Sequence, residues 1–382
     1  MASVYDYLNW RGELTFREAP INEVDCLLFS VLSYLDFGGI VPAEHTGATI
    51  PIKAAANTFF SRNPEQDQLK IGVLLPKDII VLLRRIKDLR RFRNVEMRAY
   101  VNRVDPEEQI QFSAITFLTG DGSAVVVFRG TDDSLIGWKE NFNMSFLPVV
   151  PAQLAAAEYL EKAAEVHPGA LYIAGHSKGG NLSVYSAVHA PKETKNRIVQ
   201  VYNYDGPGFY TPQLNNPDYL EVRPLIRTLV PQSSVVGMLL EHDDNYAVVK
   251  SRQTGLLQHN GLSWEVMGSC FVRLRNISAG SRNADLTLNQ WIRSMTPEQR
   301  EEFTDAVYEL LSVNNAMTLT ELVSARAHWN EHSKKLDPKV HKTVQKMLSM
   351  LISMNTKKLV SGIFRKQKQQ EERSEAGRSK PD

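Results

Sequence analysis

Apolar positions along this chain recur in two periods, and the exchange between them sets the expected architecture. Residues 1–20 are polar with scattered aromatics (Tyr5, Tyr7, Trp10, Phe16) and predict an irregular leading segment. Asn22-Glu23-Val24-Asp25 then leads into a run over residues 26–35 that is apolar on nearly every face, which predicts a buried helix ended at Gly38-Gly39. Further helices are expected over residues 52–60, broken at Asn63-Pro64, and over residues 76–89. From there the period shortens. Residues 110–118 and 124–128 read as strands of a hairpin turned at Asp121-Gly122. An Ala- and Leu-rich helix over Pro151–Val166, a strand over residues 170–174, a helix over residues 178–190 and strands over residues 197–204 and 225–230 follow. Strand, helix, strand, helix order implies parallel pairing through crossovers. From Thr287 the pattern is helical, with a cap and start at Thr296-Pro297-Glu298 and helices over residues 319–329 and 338–364.

The expected organisation is a helical N-terminal part over residues 1–105, an α/β core over 106–285, a helical extension over 286–365 and a disordered tail over 366–382. A net charge of +1 gives no global pull toward nucleic acid. The two cysteines, Cys26 and Cys270, sit in apolar-looking runs and are expected to be buried thiols, which suits a reducing compartment. The first residues carry acids and no apolar stretch of a signal peptide, and no apolar run approaches the ~18 residues of a membrane span. A soluble cytoplasmic protein is expected.

Two basic stretches change the picture locally. Residues 84–103 hold eight Arg or Lys against two acids, read as a solvated helix end running into an edge strand rather than an anionic-surface or nucleic-acid patch. Residues 334–368 hold ten Lys or Arg against one Asp, on a helix with Val340, Val344, Met347, Leu348 and Leu351 at helical spacing. That helix either docks on the main domain or meets a membrane surface peripherally.

The candidate chemistry centres on Gly175-His176-Ser177-Lys178-Gly179, which fits the G-x-S-x-G nucleophile elbow in its required strand–turn–helix setting. Glycines at both ends let strand and helix backbones approach, and the turn lifts the Ser177 hydroxyl above the sheet. The spacing fits neither a P-loop nor a dinucleotide fingerprint. Phe128-Arg129-Gly130-Thr131-Asp132 ends a buried strand, where the N–H groups of Thr131 and Asp132 and the Thr131 hydroxyl can complete an oxyanion hole with the N–H of Lys178. Lys178 is also expected to add positive charge near the developing anion. The fold's chain order is Ser, acid, His. His259, in a loop after the last strand candidates, is the preferred base and His242 the second. Asp205, directly after the strand of residues 197–204, is the preferred acid and Asp243 the next. His176 is expected to face away from the site and His189 to lie on the elbow helix pointing elsewhere.

These residues resemble the Mbeg-like family of bacterial proteins, lipase-like α/β-hydrolases long filed as a domain of unknown function. The matching features are Asn22-Glu23-Val24-Asp25 with Leu32-Ser33-Tyr34-Leu35, the Phe128 to Asp132 stretch with Gly137-Trp138, the elbow with Gly180-Asn181, and Asp205-Gly206-Pro207-Gly208-Phe209. The Phe-Arg-Gly-Thr and Gly-His-Ser-x-Gly-Gly pair is also similar to class 3, fungal-type lipases. The resemblance implies an α/β-hydrolase-like, mostly parallel sheet flanked by helices, with Ser177 as nucleophile and Thr131 in the oxyanion loop. It departs at the acid, since the lipases place an Asp where this chain has Ser233-Ser234. Two functions are therefore expected. One is a serine carboxylester hydrolase acting on a small-molecule or lipid ester, with no metal or organic cofactor. The other is a weakened or inactive hydrolase-fold scaffold that binds lipid or a partner protein.

Overall fold

The computed structural model of the chain describes residues 2–43, 47–64, 78–132, 134–209, 214–234, 236–240, 245–278 and 295–311. The expected hairpin is formed by β3 (Ile110–Leu118) and β4 (Ser123–Phe128). Beside it β4, β5 (Ala170–His176), β6 (Ile198–Tyr204), β7 (Ile226–Pro231) and β8 (Tyr246–Val249) lie parallel, in chain order. Beyond β3 the sheet continues antiparallel through β2 (Glu96–Asp105) to the two-residue β1 (Ile50–Pro51). At the far edge β11 (Arg273–Leu274) runs antiparallel to β8, completing nine strands among the described residues. Two further short strands, β9 (Val266–Met267) and β10 (Cys270–Phe271), pair with each other. The fold is of the α/β-hydrolase class, a mixed sheet with a parallel centre and antiparallel flanks, covered by helices.

Helices α1 (Val4–Arg11), α2 (Glu23–Leu32), α3 (Ile52–Arg62) and α4 (Asp78–Ile86) precede the hairpin. Between the strands run α5 (Leu135–Asn143), α6 (Pro151–Val166), α7 (Lys178–His189), the single turn α8 (Lys192–Lys195) and α9 (Pro217–Val222); α10 (Pro297–Leu311) follows the sheet. Parallel strands that succeed one another in order, joined by right-handed crossovers, put every crossover helix on one face. Accordingly α6, α7 and α9 share a core with Val126, Phe128, Ile173 and Val201. The alternate residues Val125, Val127 and Ala174 face the opposite side, which the crossovers leave bare, and there they share a core with α2 and α4. Burial on both faces is why the β4 run Ala124–Phe128 is apolar throughout.

All ten residues of α2 are buried. Asn22 caps it, and the Asp25 carboxylate reaches back to the Asn22 N–H in a capping box. Glu23 accepts from the Phe271 N–H at 2.6 Å and from Arg273 at 2.6 Å, tying α2 to β10 and β11. The leading segment is more ordered than its composition suggests. Ser3 and Asp6 form a capping box, and Val4, Tyr7 and Leu8 are buried on one side of α1. The basic stretch of residues 84–103 is also not uniformly solvated: Arg91 and Arg98 are buried. Of the two cysteines, Cys26 is buried as expected, whereas Cys270 is exposed on the short strand β10. Strand β8 was not foreseen, because four residues are too few to display a period. Helices expected over residues 319–329 and 338–364, and the tail, lie outside the described residues.

Candidate active site

The carboxyl ends of β4, β5, β6 and β7 deliver Thr131, Ser177, Asp205 and Ser234 to one edge of the sheet. Ser177 links β5 to α7 with φ 58° and ψ −132°, a backbone shape few side-chain-bearing residues adopt. Its N–H bonds to the Tyr204 carbonyl at 2.9 Å. The flanking glycines are required by contact: a Cβ on Gly175 would lie 2.0 Å from the Gly179 carbonyl oxygen, and one on Gly179 would lie 2.1 Å from that of Phe128. The Ser177 side chain is half-buried, and its hydroxyl makes no hydrogen bond among the described residues.

Asp205 follows β6, also at positive φ (53°), with its N–H on the Leu229 carbonyl at 2.8 Å. It is fully buried. His259 Nδ1 lies 2.7 Å from Asp205 Oδ2. The carboxylate can only accept, so Nδ1 carries the proton and Nε2 keeps its lone pair. The second carboxylate oxygen, Oδ1, accepts from the Ser234 hydroxyl at 2.5 Å. The position after β7, where the sequence offers Ser233-Ser234 and no acid, thus holds a donor to the acid on the neighbouring strand.

His176 ends β5 and is not remote from the site. Its ring lies 4.4 Å from that of His259. Its Nε2 sits 2.6 Å from the His259 carbonyl oxygen and must donate to it, which leaves Nδ1 to accept from the Tyr34 hydroxyl at 3.0 Å. Burial, and then the nearby His259, push the His176 pKa down to about 3. Tyr34, just past α2, is buried too, and a Cβ on Gly130 would meet its hydroxyl at 2.1 Å and the Ser177 Cβ at 3.0 Å. The loop after β4 therefore passes directly beside the elbow.

That loop is braced. Arg129 pairs with Asp132 at 2.9 Å, and Asp132 accepts from the Ser134 N–H that opens α5. Asn141 of α5 donates to Thr131 Oγ1 at 2.7 Å, leaving the hydroxyl proton of Thr131 to be given elsewhere. Lys178 follows Ser177 at the first turn of α7, where main-chain N–H groups are free of helical partners. Its side chain departs from expectation. The ammonium is buried, 2.8 Å from Glu140 Oε2 and 2.6 Å from the Gln111 carbonyl. Its charge is spent on α5 in the core and is not presented beside Ser177.

The geometry thus brings Asp205 and His259 together beside the elbow and sets Thr131 and the Lys178 N–H around it. His189 bonds back to the Tyr185 carbonyl on α7. His242 and Asp243 lie outside the described residues. Sequence reading missed Tyr34 and Ser234 as contributors, although both sat in segments it had singled out: the Leu-Ser-Tyr-Leu motif and the slot without an acid.

Comparison with known proteins adds a family. A model of the Mbeg1-like family matches residues 86–309. No curated protein matches the chain. Among solved structures it is similar to the native Rhizomucor miehei lipase propeptide complex, at 15% identity and TM-score 0.31 over 42% of this chain and 57% of that one. A fungal lipase–inhibitor complex matches at 12% identity and TM-score 0.34, over 59% of this chain and 77% of the other. M37 lipase matches at 17% identity and TM-score 0.31, over 56% and 69%. The chain spans under three fifths of the length of the Rhizomucor lipase it matches.

Proposed function

The chain belongs to the Mbeg1-like family, and from that premise and the site geometry we propose that it is a serine hydrolase cleaving carboxylic esters through Ser177, His259 and Asp205. The carrying observation is the 2.7 Å bond from His259 Nδ1 to a buried carboxylate, beside a serine at a strained elbow. A serine hydroxyl is a weak nucleophile until a base removes its proton. With Nδ1–H held by Asp205, Nε2 is the basic nitrogen. It takes the Ser177 proton as Oγ attacks the acyl carbon, then returns it to the departing alcohol. Water repeats the cycle on the acyl-enzyme. The oxyanion is held by the N–H groups of Lys178 and Thr131 with the Thr131 hydroxyl, each donor being commonly worth about 3 kcal/mol.

The scaffold reading drew on the missing acid after β7. Asp205, one strand away and buttressed by Ser234, supports a complete relay instead. The test is labelling of the whole chain by a fluorophosphonate, with Ser177→Ala and His259→Ala beside it. Labelling of the wild type, abolished by Ser177→Ala and cut at least a hundredfold in rate by His259→Ala, is expected. A folded wild-type protein that stays unlabelled, in buffer and in detergent micelles alike, rules the mechanism out.

A further inference from the structure

Two arginines of the basic stretch are buried, and their surroundings differ. Arg91, 2% exposed, makes six hydrogen bonds: two to the Asp25 carboxylate and the rest to the carbonyls of Leu14, Thr15, Ala19 and Pro20. Its guanidinium also lies 3.9 Å over the Phe16 ring. Arg98 is 8% exposed, yet its Nε and Nη2 are buried with no hydrogen-bond partner among the described residues. Leaving a buried charged donor unpaired is among the more expensive things a fold can do. The arginine cannot escape by losing its proton, since guanidinium stays charged throughout the working range.

The two unpartnered nitrogens are the ones whose N–H bonds share one edge of the guanidinium. That edge takes the two oxygens of a carboxylate or phosphate side by side. Arg98 lines a narrow cleft together with Ala43, Ala48, Thr116, Tyr159, Lys162 and Ala163. The cleft is built around Arg98. A β-bulge between Arg98 and Val101 puts Ala99 at positive φ (54°), and the Tyr159 hydroxyl locks that bulge by donating to the Ala99 carbonyl at 2.8 Å. Thr116 in turn bonds Tyr159 at 2.9 Å. Charges of both signs surround the cleft. Lys162, paired with Glu158, stands at the cleft, and Arg98 helps push the pKa of nearby His167 down after burial has done so. Burial pushes the Arg98 pKa down, while the charges of Tyr159 and Glu96 act the other way.

We propose that this cleft is a binding site for a small oxyanion, a carboxylate or phosphate group, taken side-on by Arg98 Nε and Nη2 with Lys162 at the cleft. It shares no residue with the Ser177 site and does not depend on how that site is read. The experiment is calorimetric titration of the full chain with inorganic phosphate and, separately, with acetate, at ionic strength held constant by chloride. Saturable binding of at least one anion is expected, and the tighter one identifies the group. Arg98→Gln should weaken it at least tenfold, and Lys162→Glu, on an exposed side of α6, at least threefold. No saturable binding of either anion overturns the site, as does Arg98→Gln binding like the wild type. Should Arg98→Gln fail to fold, Lys162→Glu decides, and unchanged affinity there overturns it.

Discussion

Burial and the neighbouring His259 ring hold the His176 pKa down to about 3, so its imidazole stays neutral and keeps donating Nε2–H to the His259 carbonyl across the neutral and mildly acidic range. In the unfolded chain the same side chain titrates near its ordinary value of about 6.5. The depressed folded pKa means that the unfolded chain binds one more proton between about pH 6.5 and about pH 3. Stability from this group is complete above 6.5 and falls by about 1.4 kcal/mol per pH unit as the pH drops through that window. Urea unfolding at pH 7 and pH 5 should therefore show the wild type losing about 2 kcal/mol more than His176→Gln. Equal losses in both proteins would remove His176 from the account. At this scale the sequence pointed to positions the fold does bring close: Ser177 stands at the turn between β5 and α7, and Asp205 bonds His259. It was opaque where contacts join distant positions. Tyr34 meets His176 across 142 residues, and Ser234 meets Asp205 from a slot notable only for what it lacked.

Among the elements, α5 is the one whose role the pattern could not disclose. Its nine residues are of mixed polarity, and nothing in their periodicity shows that Glu140 will be buried. Folded, the Glu140 carboxylate accepts from the Lys178 ammonium and from the Gln111 and Ala152 N–H groups. It thereby joins the elbow helix to α5, whose Asn141 holds Thr131. Longer elements such as α6 and β6 were plain because their periods run for several repeats; α1 and β8 were missed for being short. Breaking this buried pair from one side should be costly. Glu140→Ala leaves an ammonium without its counter-charge and should lose about 3–5 kcal/mol in denaturant unfolding. The double variant Lys178→Met, Glu140→Leu should recover most of that loss, since a hydrophobic replacement of similar volume is often neutral. A double variant as unstable as the single one would show that the cost lies in packing, not charge.

Among the described residues the large sheet lies between two apolar layers, and the N-terminal segment supplies much of one of them. Because the crossover helices all fall on the other face, the side chains of Val125, Val127 and Ala174 would meet water without α2. Phe29 stacks on Phe117 at 4.5 Å, and the Tyr204 hydroxyl donates to the Glu23 carbonyl at 2.5 Å, so the contact reaches across the sheet. Six large apolar residues of α2 (Val24, Leu27, Leu28, Phe29, Val31 and Leu32) are buried. At roughly 1.5–3 kcal/mol each, their gross contribution is on the order of 10 kcal/mol, as large as the net stability of a typical domain. A chain beginning at residue 36 should therefore not survive as a native fold. It should show no cooperative urea transition, bind a hydrophobic dye strongly and react with no fluorophosphonate, because Tyr34 and the sheet face beneath the elbow go with α2. A soluble truncated protein that unfolds cooperatively near the wild-type midpoint would mean that the sheet and its crossover layer form a self-sufficient unit, and that the N-terminal layer is an addition to it.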